Sequence, residues 1–474
     1  MDDPRITDAI RDVRERNRVA TASKACRMLS TSGILGYGFP ESSLESGMRR
    51  GVHMLGVDGG STDPGPHYLG SGKTLNSARA MRRDLQLMLL AARRHHVPLV
   101  IGTCGGAGGT PHLEAVAGIV RGLARDFGLR FRLATIEAEQ DKAALVRAHG
   151  DGRMARLTGG PAPDPAAIGR SERVVAMMGA EPFAAALDGG ADVVLAGRSS
   201  DPAPWAAMAM RAGLPAAPAW YAGKMLECGA TPAVPKGHDC LLVDVDRDGV
   251  VLEPAAAERR CTPSSVANHS LHENPSPCIH VEPGGILDTT DCRFEAVSDR
   301  AVRVSGMTWD PQPYTVKLEG AELAGYRAIT VCGTRDPLLV ATLDDFLARV
   351  REAVATKAAA LGIAEDGYRL MVRRYGIDGV MGAAEPVRDA RPHEVGFVIE
   401  VVAPDQDTAD AVLALARVTM LHTDFPGRLC REGNMAFPYS PSDIAAGPVY
   451  RFSVFQTMTV DDPLAPFPIT YEDL

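Results

Sequence analysis

Five of the nine residues in Gly102-Thr103-Cys104-Gly105-Gly106-Ala107-Gly108-Gly109-Thr110 are glycine. The apolar run Leu99-Val100-Ile101 precedes them, and a stretch with helical spacing follows over 111–127. A strand that opens through a glycine loop into a helix is the repeating unit of a parallel α/β sheet. The unit recurs in this chain. Met54-Leu55-Gly56-Val57-Asp58 reads as a strand, and 76–95 reads as a helix with Met81, Leu85, Met88 and Leu89 on one face. The spacing then predicts a strand at 131–136, helices at 141–149 and 172–187, a strand at 192–196 and a helix at 201–210. Residues 1–230 therefore read as α/β, a doubly wound, mainly parallel Rossmann-like sheet that binds a ligand.

The rhythm changes after Thr231. Leu241-Leu242-Val243-Asp244-Val245 and Val250-Val251-Leu252 flank Asp246-Arg247-Asp248-Gly249, a hairpin signal. The segments 292–297 and 301–304 form a similar pair. Residues 231–310 are expected to be an antiparallel connecting layer, with a short helix at 264–272. Residues 311–474 show strands at 314–318, 328–332, 368–374, 396–402 and 450–458, and helices at 344–361 and 405–422. That order predicts a C-terminal ferredoxin-like α+β domain of βαββαβ type.

The chain has 474 residues, about three domains at roughly 150 residues each. Lysine and arginine number 50 against 59 acidic residues, for a net charge of −9. No basic stripe is present, so nucleic acid is not an expected partner. No apolar stretch reaches the ~18 residues of a membrane span, and the opening residues MDDPRITDAIRDVRERNRVA lack the apolar region of a secretory signal. A cytoplasmic, membrane-free protein is the expectation, acting as a homo-oligomer on a small molecule. The nine cysteines are widely spaced with no CxxC pair, so neither a disulfide framework nor a zinc ribbon is indicated.

Chemistry concentrates at three strand ends, where open α/β sheets bind ligands. In the glycine loop, the amides of Gly105, Gly106 and Gly108 can cradle an anion, although a tight structural turn is the competing reading. Cys104 lies inside that loop, where a helix dipole would lower a thiol. The second strand end carries Gly197-Arg198-Ser199-Ser200-Asp201, with Arg198 suited to hold a carboxylate through its fork and Ser199 or Asp201 suited to cap a helix. The third carries Asp58, Asp63, His67 and, further on, Lys73 as acid, base or anion contacts. In the middle region His269 and His272 fall three apart, followed by Cys278 and His280. That spacing fits no established zinc motif, so no metal and no cofactor are expected.

The segments Gly102–Gly109, Gly190-Ala191-Asp192-Val193-Val194-Leu195-Ala196-Gly197-Arg198, Leu226-Glu227-Cys228-Gly229, His269 through Asn274, and Glu282-Pro283-Gly284-Gly285 resemble the acyclic terpene utilization (AtuA-like) family. The resemblance runs from about Gly51 to Pro448. The ADVVLAGRSSD and LECG stretches are its specific parts. The chain departs from the family pattern at His272, where tyrosine is usual, and at Ser199-Ser200, where Val-Thr is frequent. The resemblance implies a place in citronellol or geraniol breakdown, where intermediates are CoA thioesters. It carries functional weight to Gly105, Gly106, Arg198, Asp201, Glu227, Cys228, His269, Glu273 and Asn274.

Together these features predict a catabolic enzyme acting on a small carboxylate or acyl-CoA. The expected reaction is proton transfer with addition or elimination of water, as in a hydratase or lyase. His269, Glu227 or Glu273 would move the proton, and Arg198, Ser199, Asp201 and Asn274 would contact substrate. A hydrolase or thioesterase using Cys104 or Cys228 as nucleophile is the enzymatic alternative. A non-catalytic accessory subunit is the alternative from another class.

Overall fold

The computed structural model describes residues 25–272, 276–429 and 434–474; Glu273, Asn274 and Cys430 lie outside them. The described chain forms two compact units. One holds the residues up to Glu322 together with Phe452–Leu474, and the other is Leu323–Arg451.

The first unit is built on five parallel strands: β1 (Cys26–Ser30), β2 (Met54–Asp58), β3 (Leu99–Gly102), β4 (Arg132–Ile136) and β5 (Val193–Ala196). Their order in the sheet is β1-β2-β3-β5-β4, so β5 is inserted between two strands that precede it in the chain. Side chains alternate across the sheet, as the pleat requires. In β3, Leu99 and Ile101 enter one core and Val100 the other. In β5, Val193 and Leu195 share the first core, and Val194 and Ala196 the second. Both faces are therefore covered, which explains why these strands read as unbroken apolar runs.

Helices α1 (Ala78–His95) and α2 (Thr110–Phe127) cover the first face with Leu85, Met88, Val116 and Val120. Ser77 caps α1 by accepting from the Ala80 amide, and Gly128, at φ 60°, ends α2 in the left-handed conformation. Helices α3 (Ala203–Arg211) and α4 (Ala216–Leu226) cover the second face with Trp205, Met208, Trp220 and Met225. Helix α4 escapes a periodicity reading because nine of its eleven residues are buried and its sequence is apolar nearly all round.

The antiparallel segments extend this sheet instead of forming a layer of their own. Strand β6 (Leu241–Val245) pairs with the open edge of β1, followed by β7 (Gly249–Pro254), then β9 (Val302–Ser305) and β8 (Arg293–Ala296). The opposite edge is closed by Ile469–Asp473, antiparallel to β4. Pairing both edges of the parallel core satisfies backbone groups that would otherwise be open templates. A separate three-stranded sheet, Ile279–Glu282, Gly285–Asp288 and Thr308–Pro311, packs on α4 through stacked Trp220 and Trp309 rings 5.5 Å apart.

The helix expected at 172–187 is instead a strand, Arg173–Ala176, followed by the helix Glu181–Asp188. Val174 and Val175 favour the strand, which pairs with Leu318–Ala321, and Pro182 in its first turn starts the helix later.

The second unit is built in the order strand, helix, strand, strand, helix, strand. The strands Thr315–Thr334 and Asp443–Thr459 enter and leave it, with Leu343–Ala360, Arg369–Tyr375, Val395–Ala403 and Gln406–His422 between. Its strands lie in the order Arg369–Tyr375, Val395–Ala403, Thr315–Thr334, Asp443–Thr459. Phe346, Val350 and Val354 of one helix and Val412, Leu413 and Ala416 of the other share a core with Phe397, Ile399 and Val401. The two strands expected at 314–318 and 328–332 are one continuous twenty-residue strand.

The glycine run is required by close backbone approach. A Cβ on Gly108, at φ +68°, would lie 2.2 Å from the Arg198 amide nitrogen, whereas Gly152, at φ +71°, has open space there. Gly108→Ala should therefore cost about 3 kcal/mol or more, while Gly152→Ala costs about 1 kcal/mol for its dihedral alone. Paired denaturant titrations check this: equal midpoints for the two variants would show that the contact is not enforced.

Candidate active site

Three strand ends meet. The Gly59 amide donates to the Gly102 carbonyl (2.8 Å), the Thr103 amide to the Gly197 carbonyl (3.0 Å), and the Arg198 amide to the Gly108 carbonyl (3.0 Å). Thr103 is held at φ +40°, an outlier for a β-branched residue. Its hydroxyl makes up for that by accepting from the Ser199 amide (3.2 Å) and contacting the Ser199 hydroxyl (3.2 Å). The glycines serve this crowding. The Gly106 amide is taken by the Thr103 carbonyl, and Gly105 packs against His112.

Arg198 is buried, and two of its three guanidinium nitrogens, Nε and Nη1, are engaged. Nε donates to Glu319 (2.8 Å), and Nη1 donates to the Ser199 carbonyl (2.7 Å) and to Asp201 (3.2 Å). Glu319 also receives Lys317 Nζ (2.7 Å) and the Thr62 hydroxyl (2.9 Å). Burial alone would raise the Glu319 carboxyl, but the charges of Arg198 and Lys317 more than reverse this and hold it at about 2. Burial works against the Arg198 charge, and the carboxylates of Glu319 and Asp201 keep the guanidinium protonated.

Beside this pair lies a second one. Lys224, on α4, donates to Glu227 Oε1 at 2.7 Å, and both residues are buried. Burial raises the Glu227 carboxyl well above its usual range in spite of Lys224, and Asp201 adds to the effect. Asp58, at the end of β2, is raised by burial and then by the charge of Asp201. Asp201 itself is raised by burial, against the pull of Arg198. Glu282 closes the group from the three-stranded sheet, where Ser200 donates a short hydrogen bond to it. It is partly exposed, yet burial still pushes it up to about 7.

Two histidines complete the cluster. His269 lies near the end of the helix Pro263–Ser270, whose N-terminus carries a Thr262/Ser265 capping box. Its ring donates to the backbone of Lys224, and its Nε2, buried, has no partner. Burial, then the Lys224 charge, lowers it to about 3. Since the donating nitrogen carries the proton, Nε2 carries the lone pair. His280 is likewise lowered to about 4 by burial and then Lys224, and its buried Nε2 is also unpartnered.

The structure thus gathers Asp58, Arg198, Ser199, Asp201, Glu227 and His269 through shared neighbours, with Gly108 against the Arg198 backbone, Gly105 against His112 and Gly106 against Leu75. Other candidates have other surroundings. Asp63 is exposed in a turn with Ser61, though its charge reaches Asp201. His67 stands edge-on to Tyr68 (5.4 Å), and Lys73 offers its backbone carbonyl to His112 Nε2 (3.1 Å). Cys104 is fully buried in the first core, and burial raises its thiol, the opposite of the dipole effect expected from the loop. Cys228 packs beside Gly33. Glu273 and Asn274 lie outside the described residues. Sequence reasoning assigned no role to Lys224, because it sits in the unrecognised helix, or to Glu319 and Lys317, which reach the site from the start of a strand assigned to another domain. Among the described residues no three His, Cys, Asp or Glu side chains are arranged to hold a metal ion, and no helix is long and apolar enough to cross a membrane.

A groove of about 1040 Å3 lies in the second unit, lined by Arg335, Asp344, Arg374, Asp378 and Arg391 among others. It holds none of the candidate residues, and Arg374 there is already paired with Asp344 and Asp378.

Arg198→Met should cost about 3–5 kcal/mol, because Glu319 and Asp201 lose a buried partner. Arg198→Lys keeps the charge without the fork and should cost less. Chemical denaturation of both variants checks this, and wild-type midpoints would refute the pairing. Glu282 gives a pH test. Its folded value exceeds the ordinary 4.5, so the stability it contributes is present below about pH 4.5 and lost as pH rises to about 7. Glu282→Gln should remove that loss. The stability difference between variant and wild type, measured across this range, should slope in favour of the variant as pH rises, and a flat difference would contradict the raised carboxyl.

Comparison with curated proteins and with solved structures gives no match. Residues 72–436, about three-quarters of the chain, match the family described as acyclic terpene utilisation family protein AtuA, and this stretch carries Arg198, Lys224, Glu227, His269, Glu282 and Glu319. The chain belongs to the acyclic terpene utilisation AtuA family.

Proposed function

We propose that the protein is a cytoplasmic hydro-lyase of acyclic terpene breakdown that adds water to, or removes it from, an acyl-CoA or a small carboxylic acid. One observation carries this reading. A neutral imidazole on His269, whose buried Nε2 has no hydrogen-bond partner, lies beside Lys224, and the charge of the same Lys224 reaches Glu227 and Glu282, carboxyls that burial pushes up. A base and an acid coexisting at one pH are what elimination of water needs. In the dehydration direction His269 Nε2 takes the proton from the carbon next to the carbonyl. The bond from the neighbouring carbon to its hydroxyl breaks as the double bond forms. Glu282 gives its proton to the departing hydroxyl, which leaves as water. The Lys224–Glu227 pair faces the carbonyl oxygen, where negative charge builds up. Arg198, Ser199, Asp58 and Asp201 set the floor of the pocket. We read the second unit as ferredoxin-like, from its βαββαβ order and its strand order.

The buried, raised thiol of Cys104 supports this reading over a cysteine hydrolase. The test is incubation with a panel of acyl-CoAs and carboxylic acids in D2O and in oxygen-18 water. Deuterium entering next to the carbonyl, with labelled oxygen on the adjacent carbon, is the expected result. Glu282→Gln and His269→Asn should each lower kcat about 10²–10⁴-fold. A trapped acyl-cysteine would replace the reading with a hydrolase, and tight binding without exchange would replace it with an accessory role.

A further inference from the structure

Tyr314 is half-buried just before the strand Thr315–Thr334 and takes no step in the chemistry proposed for the site. Its hydroxyl accepts from the Gly179 amide (3.0 Å) and donates to Glu181 Oε2 (2.9 Å). Both partners belong to the loop that holds the end of β5. Met178, next to Gly179, donates its amide to the Arg198 carbonyl (3.1 Å), and its carbonyl accepts from the Ser200 amide (2.9 Å). On the other side the ring lies against the turn between Glu282 and Gly285. A Cβ on Gly284 would stand 3.2 Å from Tyr314 Cδ2. A Cβ on Gly179 would stand 2.5 Å from the Tyr314 hydroxyl and 2.9 Å from Pro283 Cβ. The side chain thus fills the space between the loop that holds Ser200 and the turn that carries Glu282. Those two residues are the partners of a short hydrogen bond. The backbone of Tyr314 is fixed as well. Its carbonyl accepts from the Val460 amide (2.9 Å), and the Lys317 carbonyl accepts from the Met177 amide (2.8 Å).

Resting on the hydro-lyase reading, we infer that Tyr314 is the positioning residue for Glu282, the proton donor. It acts without touching the reacting atoms. By tying the Gly179 amide to Glu181 and packing on Gly284, it sets how the Glu282 turn stands against Ser200. A misplacement of about 1 Å at such a group is enough to cost most of its effect. The groups that act on Glu282 are Ser200, which donates to it, and the charged Asp201, Lys224 and Lys317, but its enclosure outweighs each of them. Glu181, the remaining carboxyl nearby, is engaged by Tyr314 itself. A turn that loosens admits water to the Glu282 carboxyl and brings it down toward its ordinary value. Losing the Ser200 hydrogen bond works the other way and is the smaller effect.

The test reads Glu282 directly, with no substrate present. The full-length protein is labelled with carbon-13 at the glutamate carboxyls and titrated by NMR. The Glu282 signal is the one lost in Glu282→Gln. In the wild type its midpoint should lie at about 7. Tyr314→Phe removes both hydrogen bonds and keeps the ring on Gly284, and the midpoint should fall by about one unit. Gly179→Ala, whose methyl group displaces the same hydroxyl, should lower it too, and decides the matter if Tyr314→Phe does not fold. Glu181→Gln still accepts from the Tyr314 hydroxyl, so its midpoint should match the wild type. A merely structural tyrosine would lower stability and leave the Glu282 midpoint in place. A midpoint that stays or rises in folded Tyr314→Phe therefore overturns the inference, as does an equal fall in Glu181→Gln. A wild-type midpoint near the ordinary 4.5 overturns it together with the acid role of Glu282. The expected shifts without exchange of water in the substrate panel would remove the hydro-lyase reading and leave Tyr314 as the residue that places Glu282. Exchange of water with an unmoved midpoint would do the reverse.

Discussion

Arg198 and Glu319 are both almost inaccessible to water, and neither could be there without the other. A buried charge is tolerated only when its partner and its remaining hydrogen bonds are in place. That requirement fixes the end of β5, because Arg198 must reach Glu319, Asp201 and the Ser199 carbonyl together. It also fixes the strand carrying Glu319, which brings Lys317 and takes the Thr62 hydroxyl from the loop after β2. Segments far apart in the chain are thus held in one register by a single carboxylate. The mixed set of raised carboxyls and lowered imidazoles around it follows from the same enclosure.

The glycine loop serves that arrangement from below. Gly59, Gly108 and Gly197 let strand ends approach at distances no side chain would allow, and Thr103 accepts a strained dihedral to bind Ser199. A run that looks like an anion cradle in the sequence therefore brings the acid–base groups together by bringing their backbones together. Strain and close approach of this kind collect at functional sites, where the surrounding structure over-determines them.

Much of the frame was legible in the sequence. The apolar runs of β2, β3 and β5 and the amphipathic α1 and α2 announce themselves through period and caps, which are local properties. Half of the site was legible as well, since Asp58, Arg198, Asp201, Glu227 and His269 stand in recognisable segments. Lys224 was not, because a helix buried on all sides has no amphipathic signature. Glu319 was not, because one glutamate in a strand looks like any solvent-facing residue until its partner is known. Val174 and Val175 were misread because a short strand that pairs at long range competes with a helix pattern on nearly equal local terms.

The sequence by itself determined the alternation of strands and helices, the apolar faces and the identity of the chemical groups. These depend on the period of side chains along a backbone and on the intrinsic preferences of residues. Only the tertiary structure decided which groups share an environment. It joined the hairpin to the open edge of β1, where the sequence reading placed a separate layer, and drew Glu319, Lys317, Lys224 and Glu282 to the strand ends. It also turned ordinary carboxyls and imidazoles into groups with shifted protonation. The physical reason is that desolvation and charge pairing act through space, between atoms whose distance along the chain says nothing about their distance in the fold.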